Sequence, residues 1–454
     1  MISKIVVPNL GATGTDVTLV AWLVKLGDYV KAGAPLFSVA TDKAEVEVEA
    51  FRDGYVREIL AQPGATVELG AEVAIMSDSV EERLPTAVLR SPSATVDRQA
   101  SKPKNQGNQK GIDSSHRRDP LPSRSIESSH DRISVGMLIE MFRQMVLIRR
   151  FEDHLHQLFL QGLVPGTLHQ CQGQEAVAVG VCANLRRDDV IFSTHRPVGH
   201  FLAKGSSAHS IAAEIWGRAT GCAGGKGGQM HLVDASAGAM PSNAIVGANI
   251  PIATGAALGF KLRGLDRVAV SFFGDGTTNI GAFHEGINLA SIKDAPVVFV
   301  CENNLYAAST HVSLTMRISD IAERAKAYGI PGQSVDGMNI IAVFYSMAEA
   351  VSRARRGEGP TLLEFKTYRY AGHSRGDPGG YRLRDEVQRW RESDPILRAR
   401  NLLLKEYQQE EFTLEDIERA CQKEVEAAVK FAQASPDPTA ESCFGPVYAE
   451  RGRT

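Results

Sequence analysis

The stretch RVAVSFFGDGTTNIGAFHEGINLASIKDAPVVFVCENNLY, residues 267–306, constrains the fold more than any other part of this 454-residue chain. An apolar run of strand length, Val268 to Phe273, stops at Gly274-Asp275-Gly276. Apolar positions Ile280, Phe283, Ile287, Leu289 and Ala290 follow with helical spacing, and Pro296 opens a second apolar run, Val297 to Cys301, ending at Asn303-Asn304. Strand, helix and strand in this order make a right-handed βαβ unit, which predicts Asp275 and Asn304 at the same carboxyl edge of a parallel sheet. Open α/β sheets take their ligands at that edge.

Residue type says which ligand. Glycines beside Asp275 let backbone N–H groups approach an anion, while a carboxylate and an amide carbonyl are hard oxygen ligands suited to Mg²⁺. Two protein oxygens are too few for a closed cage, and Mg²⁺ fills its octahedron with phosphate oxygens and water, so a diphosphate is the expected partner. A Gly-Asp-Gly turn alone is weak, but here Asn304 follows Asp275 after 29 residues, across one helix and one strand. This spacing resembles the fingerprint of thiamine diphosphate-dependent enzymes. The resemblance implies that Asp275, Asn304 and the backbone carbonyl of Tyr306 hold the metal, with Gly274, Gly276 and Thr277 also at the cofactor.

Net charge is −3 and charged residues make up 23% of the chain, so neither a nucleic-acid footprint nor an acidic tail is indicated. Six cysteines without CxxC spacing argue for reduced thiols rather than a disulfide framework or a zinc site. No secretory h-region and no apolar run of ~20 residues is present. These features predict a cytoplasmic protein without membrane contact.

Residues 1–78 carry an internal repeat: Trp22, Gly27, Val30, Gly33 and Leu36 recur 37 positions later as Ile59, Gly64, Val67, Gly70 and Val73. Two copies of a strand-turn-strand pattern predict a small all-β domain with approximate two-fold symmetry. Between them, two strands meet at Thr41-Asp42-Lys43, placing Lys43 at a hairpin tip. The arrangement resembles the lipoyl domains of 2-oxo acid dehydrogenase complexes; biotin carriers share the fold but flank their lysine with methionines, unlike Asp42 and Ala44 here. The resemblance implies lipoate on Lys43. Residues 79–131, rich in Ser, Pro, Arg, Lys and Gln, read as a flexible linker with a span of roughly 40 Å.

From residue 132 to 454 the chain predicts one α/β domain. Ser134 is placed to cap a long helix with apolar positions from Leu138 to Leu158 at helical spacing, on which His154 and His156 read as solvated. GTLHQCQGQEA carries His169, IFSTHRPVGHF carries His195, Arg196 and His200, and YRYAGHSRGDPGGYR carries Arg369 and His373. Arg196 is a natural diphosphate clamp, because its planar fork pairs with phosphate oxygens. GRATGCAGGKGGQMH is Gly-rich without P-loop order. His284 reads as packed or solvent-facing.

At five motifs this region resembles the α subunit of the thiamine-dependent decarboxylating component of 2-oxo acid dehydrogenase complexes, of pyruvate or acetoin type. The resemblance implies oxidative decarboxylation of a small 2-oxo acid, pyruvate first and acetoin as the alternative substrate, with acyl transfer to lipoyl-lysine. It implies thiamine diphosphate, Mg²⁺ and lipoate as cofactors. His195, Arg196 and Arg369 fall near the phosphates, the Val246 backbone near the aminopyrimidine, and His169 and His373 in the proton-transferring channel. Val198 stands where relatives often have His, which bears on substrate. A β subunit in an α₂β₂ assembly and a dihydrolipoyl acyltransferase are the implied partners. The contrasting reading is a non-catalytic lipoyl-bearing subunit, against which the Asp275/Asn304 pair and both channel histidines speak.

Overall fold

A computed structural model describes residues 2–7, 16–40, 45–68, 70–79 and 133–444. The chain begins with eight short strands: β1 (Ile2–Val6), β2 (Asp16–Trp22), β3 (Tyr29–Val30), β4 (Pro35–Ala40), β5 (Glu45–Glu49), β6 (Gly54–Ile59), β7 (Thr66–Glu68) and β8 (Glu72–Ser77). They form two antiparallel four-stranded sheets, β1-β8-β6-β3 and β5-β4-β2-β7, around a core that includes Leu19, Phe37, Val39, Val56 and Met76. The 37-residue repeat is a real two-fold. Gly27 N–H donates to the Val56 carbonyl at 2.7 Å, and Gly64 N–H donates to the Leu19 carbonyl at 2.7 Å, each residue 37 positions from its counterpart. All four repeat glycines, Gly27, Gly33, Gly64 and Gly70, have φ between 83° and 90°, which only glycine adopts without strain. Ala40 pairs with Glu45 to close the β4/β5 hairpin; Lys43 and linker residues 80–131 lie outside the described residues.

The larger part opens with α1 (Val135–Leu160), capped by the Ser134 hydroxyl, which accepts from Met137 N–H at 3.3 Å. There follow α2 (Glu175–Cys182), β9 (Val190–Phe192), α3 (Val198–Lys204), α4 (Ala208–Ile215), β10 (Ala239–Met240), α5 (Asn249–Leu262), β11 (Ala269–Gly274), α6 (Gly281–Ile292) and β12 (Val297–Asn303). A hairpin of β13 (Tyr306–Ala307) and β14 (Thr310–His311) precedes β15 (Gly332–Asp336), α7 (Ile340–Arg355), β16 (Thr361–Lys366), α8 (Arg384–Glu392), α9 (Pro395–Lys405) and α10 (Glu411–Ala434). The sheet is wholly parallel, in the order β10-β9-β11-β12-β16-β15.

Both faces of this sheet are covered at its centre, so β11, β12 and β16 are buried along their length and mostly apolar rather than alternating with exposed polar residues. Successive side chains feed two different cores. Ala269, Phe273, Val297, Phe299 and Cys301 pack beneath α5 and α6, whereas Val270, Phe272, Val298 and Val300 pack against the helices of the other side, α1, α2 and α7 among them. Gly286 lets α6 approach α5: a Cβ there would stand 2.7 Å from Ile250 Cγ2. The fold is therefore a small all-β unit followed by an α/β unit on a parallel sheet. Among the described residues no helix is long and apolar enough to cross a membrane. All six cysteines are free.

Candidate active site

At the carboxyl ends of β11 and β12 lies a cavity of about 400 Å³, a size suited to a cofactor, and Asp275, Asn304, Arg196, Arg369 and His373 all line it. Gly274 pairs with Glu302 in the sheet register, so Asp275, one residue on, and Asn304, two residues on, emerge at the same edge. After Gly274 the chain tightens into a 3₁₀ turn, Asp275–Asn279, before α6 begins. Gly276 is required in that turn, since a Cβ would meet Ala307 Cβ at 2.6 Å.

Asp275 is 1% exposed and its Oδ2 has no partner among the described residues. Burial pushes its carboxyl up to about 7, against a downward pull from its own backbone and from Arg369. A buried carboxylate oxygen left in this state fits a cation. Asn304 Nδ2 donates to Gln174 Oε1 at 3.0 Å, which orients the amide, and Tyr306 N–H donates to Asn304 Oδ1 at 3.3 Å. Leu305 and Ala308, at φ 72° and 51°, hold the left-handed region on either side of Tyr306 and turn its backbone toward the cavity wall. Strain of that kind collects at functional sites.

Two buried guanidiniums face this carboxylate, and neither pairs with a carboxylate among the described residues. Arg196 donates to the carbonyls of Gln170 at 2.8 Å and His373 at 2.6 Å; Arg369 donates to the Ala308 carbonyl at 3.1 Å and the Tyr381 hydroxyl at 3.0 Å. Burial, then Arg369, brings Arg196 down to about 9, and burial lowers Arg369 too. Two desolvated cations that form no ion pair among the described residues make a site for an anion.

His169, His195 and His373 meet at ring-centroid separations of 5.1, 5.1 and 5.5 Å. Burial first and Arg196 second hold them down, to about 3, 2 and 4 respectively, so the three rings are neutral at physiological pH. His169 Nδ1 and His195 Nε2 are buried without partners among the described residues. Neutral imidazoles of this kind can donate from one nitrogen and accept at the other.

Several supporting side chains were not singled out from the sequence. Gln229 clasps the His169 backbone, its Oε1 accepting from His169 N–H at 3.1 Å and its Nε2 donating to the His169 carbonyl at 2.9 Å. The Gly-rich segment that carries Gln229 wraps the buried Glu214 carboxylate, which accepts from the N–H groups of Ala223 (2.7 Å), Gly225 (2.8 Å), Gly227 (2.7 Å) and Gly228 (3.3 Å). Glu302 forms part of the cavity wall and meets His200 Nε2 at 3.3 Å, while His200 Nδ1 lies 2.7 Å from Ser193 Oγ. His200 stacks on Phe272 at 3.8 Å, a packed core position. Asp377 knits the last loop, accepting from His373 N–H at 2.5 Å and the Tyr381 hydroxyl at 2.8 Å. None of these pairings has a sequence spacing to betray it, although the GQE and ENN motifs contain Gln174 and Glu302.

His195, Gly274, Gly276 and Thr277 also line the cavity, as does Val246, which is 55% exposed at its rim. His169 touches the other two rings without lining the cavity. His284 sits on the exposed side of α6 with Nδ1 2.5 Å from the Tyr328 hydroxyl. One expectation is corrected: His156 is not solvated. Its Nε2 lies 3.9 Å from Glu49 Oε2 of β5, because the small β unit covers that side of α1.

Comparison with known families agrees with this arrangement. A family model described as dehydrogenase E1 component matches residues 143–441, and one described as biotin-requiring enzyme matches residues 3–76. The α subunit of acetoin:2,6-dichlorophenolindophenol oxidoreductase from Bacillus subtilis is 46% identical over 309 residues, covering 68% of this chain and 92% of the relative. The pyruvate dehydrogenase E1 component α subunit of Rhizobium meliloti is 40% identical over 307 residues, covering 67% and 88%. A second acetoin-type α subunit, from Cupriavidus necator, is 40% identical over 314 residues, covering 68% and 94%.

Proposed function

This chain belongs to the dehydrogenase E1 component family, and from that premise we propose that it is the α subunit of an enzyme that oxidatively decarboxylates pyruvate and passes the acyl unit to lipoyl-lysine. The observation that carries the reading is the buried Asp275 Oδ2 without a partner, lining one cavity with two guanidiniums that form no ion pair among the described residues. Thiamine diphosphate, when bound there, supplies the electron sink that loss of CO₂ requires.

The chain's own residues divide the remaining work. Asp275, the Asn304 side-chain oxygen and the Tyr306 carbonyl would hold Mg²⁺; among the described residues no three His, Cys, Asp or Glu side chains form a metal cluster without the cofactor. Arg196 and Arg369 would neutralise the diphosphate, with the neutral His195 ring beside it as a hydrogen-bonding group and the N–H groups of Gly274, Gly276 and Thr277 at close approach. His169 and His373, neutral and adjacent, would move the proton and stabilise developing charge. Ile245 and Val246, 69% and 55% exposed, rim the cavity where the β subunit would complete it over the pyrimidine. A dihydrolipoyl acyltransferase would take the acyl group onward, and Lys43 would carry the lipoate.

Arg196 Nη2 lies 3.3 Å from His373 Nδ1, which puts a positive charge at the edge of the histidine cage. That charge attracts the carboxylate of pyruvate and does little for neutral acetoin. A second reading, acetoin, is supported by the 46% identity to the Bacillus subtilis relative. Steady-state assays of the chain with its β subunit on pyruvate, acetoin and branched 2-oxo acids decide: the pyruvate reading requires the highest kcat/KM on pyruvate, and a higher value on acetoin overturns it.

A further inference from the structure

Beside the cofactor cavity, and separated from it by a single loop, lies a second space of about 340 Å³ whose two walls come from different parts of the chain. One wall is the edge strand β5, presenting Val46, Glu47, Val48 and Glu49; the other includes Ser374, Arg375, Asp377 and Arg382. It continues into a wider groove where Glu47 faces Arg382, Arg384 and Arg391. The loop between the cavities is shared: His373 lines the cofactor side, and Ser374 and Arg375 line the groove.

The charges across this groove are complementary. Arg375 donates to Gln172 Oε1 at 2.8 Å, yet its buried Nε has no partner among the described residues. Burial brings its guanidinium down to about 10, and Glu152, Glu49 and Asp153 pull it back. The acidic groups on the same wall are already engaged, Asp153 with Gln172 Nε2 and Asp377 with the loop backbone and Tyr381. Arg384 and Arg391 are exposed, so the carboxylates of β5 are the counter-charges that face them.

We propose that this groove is the docking station for the chain's own N-terminal domain, with Glu47 and Glu49 read by Arg375, Arg384 and Arg391, so that the β4/β5 hairpin is presented beside the loop that carries His373. The occupant is this domain and no other, because its strand is already the groove's second wall. The proposal rests on the reading above that the hairpin lysine bears lipoate. In the transfer served, the lipoyl S–S bond breaks as one sulfur bonds to the acyl carbon. The two electrons lost by that carbon go to the other sulfur, which takes a proton.

The test uses the full chain assembled with its β subunit, comparing wild type, Glu47→Arg/Glu49→Arg, and that variant combined with Arg384→Glu/Arg391→Glu. Three quantities are read: hydrogen exchange of residues 45–49 and 371–382, label from ¹⁴C-substrate on the lipoyl domain, and turnover with 2,6-dichlorophenolindophenol as a soluble acceptor. Docking through these charges predicts faster exchange in both segments and about tenfold slower domain labelling in the β5 variant, with dye-linked turnover unchanged and labelling recovered in the charge swap. High salt moves wild type in the same direction as the variant. Unchanged exchange in the β5 variant overturns the proposal, as does a charge swap that recovers nothing. Failure of the underlying reading looks different: dye-linked turnover continues with no label on the wild-type domain, and the exchange data still decide docking.

Discussion

Asp275 places its own fold under stress, because a carboxyl held near 7 by burial opposes folding wherever the unfolded chain is ionised. The unfolded group loses its proton near its ordinary value of 3.8 and the folded one near 7, so this group's contribution to stability falls as pH rises between those values and is level above them. The cost at pH 8 is roughly 4 kcal/mol in the cofactor-free protein. Asp275→Asn should therefore melt higher than wild type at pH 8, by a margin that shrinks toward pH 5, while calorimetry shows Mg²⁺-dependent thiamine diphosphate binding lost. Unchanged cofactor affinity would remove Asp275 from the metal site. The three histidines work in the opposite sense. Below about 6.5 the unfolded chain takes up protons that the folded rings refuse, so stability falls as pH drops toward their depressed values. Nitrogen-15 titration of the cofactor-free protein should find all three rings neutral down to pH 5, and a ring that titrates near 6.5 would contradict the buried cage.

At the scale of elements, α4 holds the His169 ring through a loop rather than by direct contact. Its Glu214 gathers the backbone of residues 223–228, and that segment leads into Gln229, whose amide clasps His169. Glycine is needed where the loop closes: a Cβ at Gly221 would stand 2.3 Å from Glu214 Oε2, and one at Gly227 would stand 2.1 Å from the His231 carbonyl. Glu214→Gln replaces one acceptor oxygen with a donor facing backbone N–H groups, which should cost about 2–3 kcal/mol. Thermal unfolding reads that loss, and hydrogen exchange should show amides 223–228 released. Because His169 is held through this loop, kcat should fall further than cofactor affinity. The motif GCAGGKGGQMH announced a tight backbone path; that a glutamate from a preceding helix lies at its centre followed only from packing.

On the whole molecule, the position of β5 beside the loop of His373 joins the domain proposed to carry the acyl group to the site proposed to produce it. If the hairpin lysine is served within its own assembly, tethering replaces bimolecular encounter with a fixed effective concentration. Labelling of Lys43 per enzyme should then be constant on dilution, with Lys43→Arg as the blank, whereas a rate that falls in proportion to concentration would assign the domain to another assembly. The exposed apolar rim at Ile245 and Val246 belongs to the same scale, since it borders the cavity that the proposed β subunit would complete.

Local patterning carried much of this protein. The apolar runs around GDG and ENN determine a parallel βαβ unit, because strand and helix periods are read directly from side-chain alternation, and short-range geometry then brings Asp275 and Asn304 to one edge. The repeated glycines likewise determine the two-fold β unit, since each needs a left-handed φ at the same point of its copy. Contacts between distant segments were decided by the tertiary structure: Gln174 on Asn304, Gln229 on His169, Glu302 on His200, and Glu49 beside His156. The same holds for charge state. The depressed histidines and the raised aspartate arise first from exclusion of water, which is joined at the histidines by Arg196 and opposed at the aspartate by Arg369, and desolvation belongs to the packed protein rather than to any residue's neighbours in sequence.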